Sequence, residues 1–398
     1  MGSSGWLRPI RSMTVFAVVS AVLMVSACSS EQSPGPISSP SATGYASPSS
    51  SASATPVAAA GCGTAELARM SLRQKLAQLL VVGVTGADDA RRIVGREQIG
   101  GIFVGSWTDK SILSSGAAAR ISRTAPIPLM VSVDQEGGRV SRLSSLGIDS
   151  PSAQELARTR TPAQVRTLAE SIGRKLRALG VTVDYAPVVD VSDESPDEVI
   201  GDRSFGNDPK VVTEYAEAYA TGLRSAGILP VFKHFPGHGH GSGDSHLGVV
   251  RTPPLSQLKT SDLVPYRTLL KDDPKDTAVM VGHLIVPGLT GPETPASISP
   301  RAIGMLRAGA PYGAPPFNGV VFSDDLSGMA AISDRYPIEQ AALRAIQAGS
   351  DIALWLATDR VSSVLDALER AVGAGKLTTD RIDRSVVRIL RTKGVLRC

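Results

Sequence analysis

Ile228-Leu229-Pro230-Val231-Phe232-Lys233-His234-Phe235-Pro236-Gly237-His238-Gly239-His240-Gly241-Ser242-Gly243-Asp244-Ser245-His246 runs from an apolar segment straight into a polar loop that holds four of the chain's five histidines. The apolar run Ile228–Phe232 reads as a buried strand, the kind found where helices cover both faces of a parallel sheet. Chemistry-bearing residues directly after such a strand point to a site at its carboxyl end. The interleaved glycines indicate a backbone that bends sharply and passes close to what it binds.

The same punctuation recurs along the chain. Apolar runs occur at Leu79–Val84, Ile99–Val104, Pro128–Val133, Val181–Val189, Ile228–Phe232, Ala278–Val286, Gly319–Phe322 and Asp351–Leu356. Helical patterns separate many of them: Val165, Leu168, Ile172, Leu176 and Leu179 recur at spacings of three and four and mark one buried face. Similar stretches cover about 210–226, 339–349 and 361–373, with a last helix near 380–393. Eight buried strands alternating with helices predict an α/β fold, a (β/α)8 TIM-type barrel forming a single catalytic domain over 61–398. No glycine-rich dinucleotide fingerprint follows any of the runs, which counts against an open-sheet cofactor enzyme.

In a barrel the polar residues after each strand become the candidate site. Here they are Asp134-Gln135-Glu136-Gly137-Gly138-Arg139 and Arg142, then Asp190, the histidine segment, His283, and Ser323-Asp324-Asp325. An arginine and an aspartate at strand ends often simply pair with each other. Gathered at four strand ends, such residues favour a ligand site. His238 reads either as part of that site or as a ring holding its turn by hydrogen bonds to backbone carbonyls, and Asp190 and His283 as supporting residues behind it.

The segments DQEGGRVSRL at 134, IGDRSFG at 200, KHFPGHG at 233 with DSH at 244, and FSDDLSGM at 322 resemble the family 3 glycoside hydrolases, and within them the single-domain bacterial β-N-acetylglucosaminidases. Their order agrees with the family and the resemblance spans roughly residues 65–395. His240 and the glycine-rich spacer depart from the family pattern and leave the Asp-Ser-His spacing intact.

Retaining cleavage of a glycosidic bond needs a carboxylate to attack the anomeric carbon and a second group to protonate the departing oxygen and then deprotonate water. The resemblance places the nucleophile at Asp324, leaving Asp325 to hydrogen bond behind the strand. It implies that His246 carries the proton, oriented by Asp244. Imidazole suits the task, because an unperturbed pKa near ~6.5 lets it give and take a proton at neutral pH. By the same resemblance Asp134, Arg142, Arg203, Lys233 and His234 surround a terminal β-linked N-acetylglucosamine on a peptidoglycan-derived fragment. Gly239, Gly241 and Gly243 are expected to let the loop close over the sugar and withdraw.

Two rival functions draw on the same residues. A zinc-dependent hydrolase would use His234, His238, His240, His246 and Asp244, although neither an HExxH helix nor a CxxC pair is present. A non-catalytic lipid-anchored sugar receptor would fit the amino-terminal segment alone. No cofactor, metal ion or protein partner is expected.

That segment sets the expected compartment. Residues 1–27 carry Arg8 and Arg11, no acidic residue, and an apolar stretch from Met13 to Val25, the layout of a removable signal peptide. Val25-Ser26-Ala27-Cys28 resembles a bacterial lipobox, so Cys28 is expected to be lipidated and to anchor an exported protein to the outer face of the cell membrane. Residues 28–60, rich in Ser, Pro and Ala, predict a disordered tether. Cys62 and Cys398 are expected to pair in an oxidising space, the alternative being two unrelated thiols. Loss of Arg8 and Arg11 brings the 41 basic residues to 39 against 37 acidic ones, and the absence of a long basic block argues against nucleic acid as a partner.

Overall fold

A computed structural model describes residues 61–397. The signal segment, Cys28, the tether at 28–60 and Cys398 lie outside the described residues. Eight parallel strands close into a barrel in chain order: β1 (Leu80–Gly83), β2 (Gly101–Val104), β3 (Met130–Val133), β4 (Val183–Asp184), β5 (Leu229–Phe235), β6 (Ala278–Val281), β7 (Val320–Asp325) and β8 (Ile352–Trp355). Strand β8 completes the ring against β1, with Leu80 opposite Ala353. Each strand overlaps one of the apolar runs, and the expected (β/α)8 barrel is the fold.

The bounds shift for physical reasons. Strand β4 is shorter than the run at 181–189, because Pro187 has no N–H for the ladder; only Val188 bridges onward, to Lys233. Strands β5 and β7 instead run past their apolar residues and carry Lys233-His234 and Ser323-Asp324-Asp325 within them. A small antiparallel ribbon, Gln135–Gly137 with Val140–Ser141, stands just beyond β3.

Helices Pro162–Ala178 and Pro209–Ser225 begin with proline at the first turn behind side-chain caps, Thr161 on Gln164 N–H and Asp208 on Lys210 N–H. The buried face of the first is Val165, Ala169, Ile172, Gly173 and Leu176, while Leu168 and Leu179, expected on that face, are only partly buried. Small residues let the two helices close up: a Cβ on Gly222 would stand 2.3 Å from the Arg166 carbonyl oxygen. No helix of the described residues is long and apolar enough to cross a membrane.

The amino-terminal ends of the strands are locked by a buried carboxylate. Asp351, just before β8, accepts hydrogen bonds from the Val321 N–H at 3.0 Å, from Arg388 at 3.2 Å, and from Arg307 and Ser385. Burial pushes the Asp351 carboxyl up, and the surrounding Arg307, Arg388 and Arg381 bring it below the usual range. The chain enters the barrel at this same end. Gly63 packs within 3.0–3.2 Å, measured from an added Cβ, of Leu396 and Val387, and the disulfide-bonded Cys62 accepts a hydrogen bond from Arg391 at 3.3 Å. Its expected partner, Cys398, is not among the described residues.

Candidate active site

The functional residues of β5 and β7 sit where the sheet register slips. Between β5 and β6 the pairing jumps from Phe232–Val279 to Phe235–Val281, and between β7 and β8 from Phe322–Ile352 to Asp325–Leu354. Such irregularities redirect side chains that a regular strand would bury in the barrel or press on the helices. Lys233, His234 and Asp324 thereby reach one pocket at the carboxyl ends of the strands.

One wall of that pocket is an ionic lattice. Lys233 Nζ lies 2.6 Å from Asp134 Oδ1 and 2.5 Å from Glu136 Oε1, and Arg203 grips Glu136 through two hydrogen bonds. Burial pushes the Glu136 carboxyl up, and the charges of Arg203 and Lys233 overcome it and hold it far below the usual carboxylate range. Arg203 is brought there by a loop that Arg139 clamps, through Asp202 at 3.0 Å and the carbonyls of residues 197–200. Arg142 lines the pocket without a hydrogen bond or ion pair among the described residues.

His234 is oriented from behind. Its Nδ1 lies 2.7 Å from Asp190 Oδ2, while Asp190 Oδ1 accepts the backbone N–H groups of His234 and His238. A carboxylate only accepts, so Nδ1 carries the hydrogen there and Nε2 remains for a ligand. Asp190 therefore has the supporting role expected of it. His283 likewise stands behind the site, with Nε2 2.7 Å from the Asp325 carbonyl oxygen and Nδ1 2.7 Å from Ser297 Oγ.

The two aspartates on β7 have different tasks. Asp325 is buried and accepts from the Ser327 N–H and hydroxyl and from the Gly328 N–H, so it ties the strand end together; burial raises its pKa. Among the described residues Asp324 accepts only the Asp325 N–H, and it lines the pocket. Burial pushes the Asp324 carboxyl up, but the pull of His234, His283, that N–H and Lys233 leaves it below the usual range, ionised at neutral pH. Two adjacent carboxyls are thus driven apart in pKa, a pattern that separates a reacting carboxylate from a structural one.

His246 reaches the same pocket from the loop after β5. Its Nδ1 is 2.7 Å from Asp244 Oδ1, an oxygen that also accepts the His246 N–H at 2.8 Å. The ring is 63 % exposed, so its Nε2 can exchange protons with a ligand or water. The loop is latched onto the segment following Asp324, with Ala331 N–H donating to the Ser245 carbonyl at 3.1 Å and Ala330 N–H to that of His246 at 3.4 Å. From beneath, His238 Nε2 approaches Ser245 Oγ at 3.4 Å; its ring thus braces the Asp-Ser-His segment rather than backbone carbonyls. Gly239 answers to packing, since a Cβ there would lie 2.0 Å from the Val191 carbonyl oxygen.

Thus Asp134, Arg142, Arg203, Lys233, His234, Asp244, His246 and Asp324 all line one cavity of about 290 Å³. His240 does not; it turns away to Asp262, 3.0 Å from its Nδ1. The histidines that would form a zinc cage take separate partners, and among the described residues no three His, Cys, Asp or Glu side chains converge as metal ligands. Sequence reasoning placed Glu136 among the candidate residues after β3 but gave it no role; the structure sets it between Lys233 and Arg203. Sequence reasoning missed an aromatic series from rim to floor: Trp107, 45 % exposed, Phe103, buried Tyr185 and Phe322, with successive ring centroids 5.4–5.9 Å apart.

The glycosyl hydrolase family 3 N-terminal domain matches residues 71–392. The chain belongs to glycosyl hydrolase family 3. It is a glycoside hydrolase, and three relatives locate it within that family. It is 61% identical over 328 residues to Beta-hexosaminidase LpqI of Mycobacterium tuberculosis, a match covering 82% of this chain and 84% of that protein. The crystal structure of a family 3 member from Mycobacterium smegmatis superposes with a TM-score of 0.81 at 59% identity, covering 83% of this chain and 99% of the other. A family 3 beta-N-acetylglucosaminidase from Paenibacillus superposes with a TM-score of 0.74 at 32% identity, over 82% of this chain and 62% of that one.

Proposed function

We propose that this family 3 glycoside hydrolase is a retaining exo-β-N-acetylglucosaminidase that removes terminal β-linked N-acetylglucosamine from peptidoglycan-derived fragments. The observation that carries the reading is that ionised Asp324 and the Asp244-oriented imidazole of His246 line the same pocket from two different strand ends. The relatives named beta-hexosaminidase and beta-N-acetylglucosaminidase support the sugar; they leave the aglycone open.

In the first step Asp324 attacks the anomeric carbon as the glycosidic C–O bond breaks, and His246 Nε2–H protonates the leaving oxygen. In the second, His246 takes a proton from water, whose oxygen displaces the carboxylate. Asp244 stabilises the imidazolium that donates in the first step and re-forms in the second, and it holds the neutral ring in the Nδ1–H tautomer in between. Lys233, Asp134, Arg203, Arg142 and His234 hold the sugar's hydroxyls. We further propose that the mature protein is a lipoprotein tethered through Cys28 to the outer face of the cell membrane, acting in peptidoglycan recycling.

Defined muropeptides, incubated with water and phosphate in competition and followed by NMR, test the reaction. The expected first product is β-configured N-acetylglucosamine, or its β-1-phosphate if phosphate competes. An α-configured first product rules out retention, and turnover that stops on chelation moves the protein to the zinc reading. Binding without turnover would make it a sugar receptor.

A further inference from the structure

Trp107 is the large aromatic side chain most open to solvent among the described residues, and the loop that carries it is rigidly built. Directly after β2, the Gly105 N–H donates to Thr108 Oγ1 at 3.0 Å, and the Thr108 hydroxyl donates to the Val84 carbonyl at 2.6 Å. Lys110 Nζ spends all three donors on the carbonyls of Gly105, Ser106 and Thr108, at 2.7, 3.1 and 2.8 Å. The indole folds onto Gly105, where an added Cβ would fall 2.3 Å from its ring, and leans on Phe103 with centroids 5.9 Å apart. That much fixed backbone holds a hydrophobic ring 45 % exposed at a pocket mouth, an arrangement solvation alone disfavours.

The floor of the pocket is closed by buried Tyr185, so a chain end enters blind and whatever is attached to it leaves through the mouth. At that mouth two exposed lining groups are Trp107 and His246, which are 45 % and 63 % exposed. His246 must touch the leaving oxygen. We propose that Trp107 is the stacking platform for the leaving group, packing its indole on the apolar C–H face of the second pyranose ring and so setting preference for saccharide over small aglycones. This rests on the hydrolase reading above, and the test separates the two.

The measurement compares kcat/KM for a β-1,4-linked N-acetylglucosamine disaccharide and for methyl β-N-acetylglucosaminide, whose aglycone is too small to stack. Trp107→Ala and Trp107→Gln should lose about tenfold or more on the disaccharide, the size of one aromatic stacking contact, yet stay within about twofold on the methyl glycoside. Trp107→Phe should recover most of the loss, and inhibition by free N-acetylglucosamine should not change. Equal losses on both substrates, weakened inhibition by the free sugar, or no loss at all overturns the assignment. Wild-type protein that cleaves neither substrate defeats the glycosidase reading instead.

Discussion

Arg203 and Glu136 meet through two parallel hydrogen bonds, Nε to Oε2 and Nη2 to Oε1, each 2.8 Å long. With Lys233 added at 2.5 Å from Oε1, this carboxylate is engaged by two protein cations. Glu136 therefore holds Arg203 and Lys233 in place at the pocket wall. Glu136→Ala strands both cations in a buried setting, and we expect it to cost about 3–5 kcal/mol by chemical denaturation. A loss below about 1 kcal/mol would show that water relieves the cations and the lattice is dispensable.

Asp324→Ala should abolish turnover on every aglycone and leave the thermal midpoint nearly unchanged, because the residue stands at the functional end of the barrel and makes a single hydrogen bond among the described residues. A fluorinated N-acetylglucosamine that traps the glycosyl-enzyme should label the peptide containing Asp324. Labelling elsewhere defeats the nucleophile assignment.

The Asp244–His246 pair is distinguished from an ordinary sugar contact by the leaving group. A dinitrophenolate needs no proton, so His246→Ala should slow glycosylation of the natural disaccharide by roughly a hundred- to ten-thousand-fold while hardly affecting the dinitrophenyl glycoside. Asp244→Asn should behave the same way, since the imidazole would lose the carboxylate 2.7 Å from its Nδ1. Equal loss on both substrates, read on the glycosylation step, would falsify the proton-transfer role.

His240 supplies a pH dependence of its own. The hydrogen bond to Asp262 raises its pKa against the opposing effect of burial, with Asp193 and Glu194 adding to the rise. A raised pKa means stabilisation that is full below the unfolded value of about 6.5 and is lost as pH rises through the folded value. Amide exchange in the loop at 237–243 should accelerate over that alkaline window, and His240→Gln should remove the pH dependence. A flat profile in the wild type sinks the idea.

At the opposite end, Asp351→Ala leaves Arg307, Arg381 and Arg388 facing one another without their common carboxylate. We expect a loss of about 3–5 kcal/mol in urea denaturation. Because this carboxyl is depressed on folding, its contribution is present above the unfolded pKa and disappears as pH falls through the folded one. The wild-type advantage should therefore narrow in acid, and an advantage independent of pH contradicts the depression.

The barrel was legible because its eight strands lie on short, largely apolar runs, several of them followed by polar clusters, a pattern readable from each run alone. Residues whose roles need distant partners were not. Glu136 acquires its role from Arg203, 67 positions away, and Asp351 from arginines 30 to 44 positions away on either side. The helix Ala87–Glu97 escaped the periodicity reading because its buried face includes Asp89 and Glu97, carboxylates made tolerable there by partners such as Arg73, Arg92, Ser362 and Thr358. The site residues were recognised through ordered motifs. The bulges that aim Lys233 and Asp324 inward leave no mark in composition.

Because Cys62 and Gly63 pack beside the carboxyl-terminal helix, on the far side from the pocket mouth, the molecule has a handle and a working face. Fastened by that handle to a bead, an electrode or a lipid film, it should keep its mouth toward the solution. Immobilised preparations can then be loaded densely without each molecule covering its neighbour's entrance.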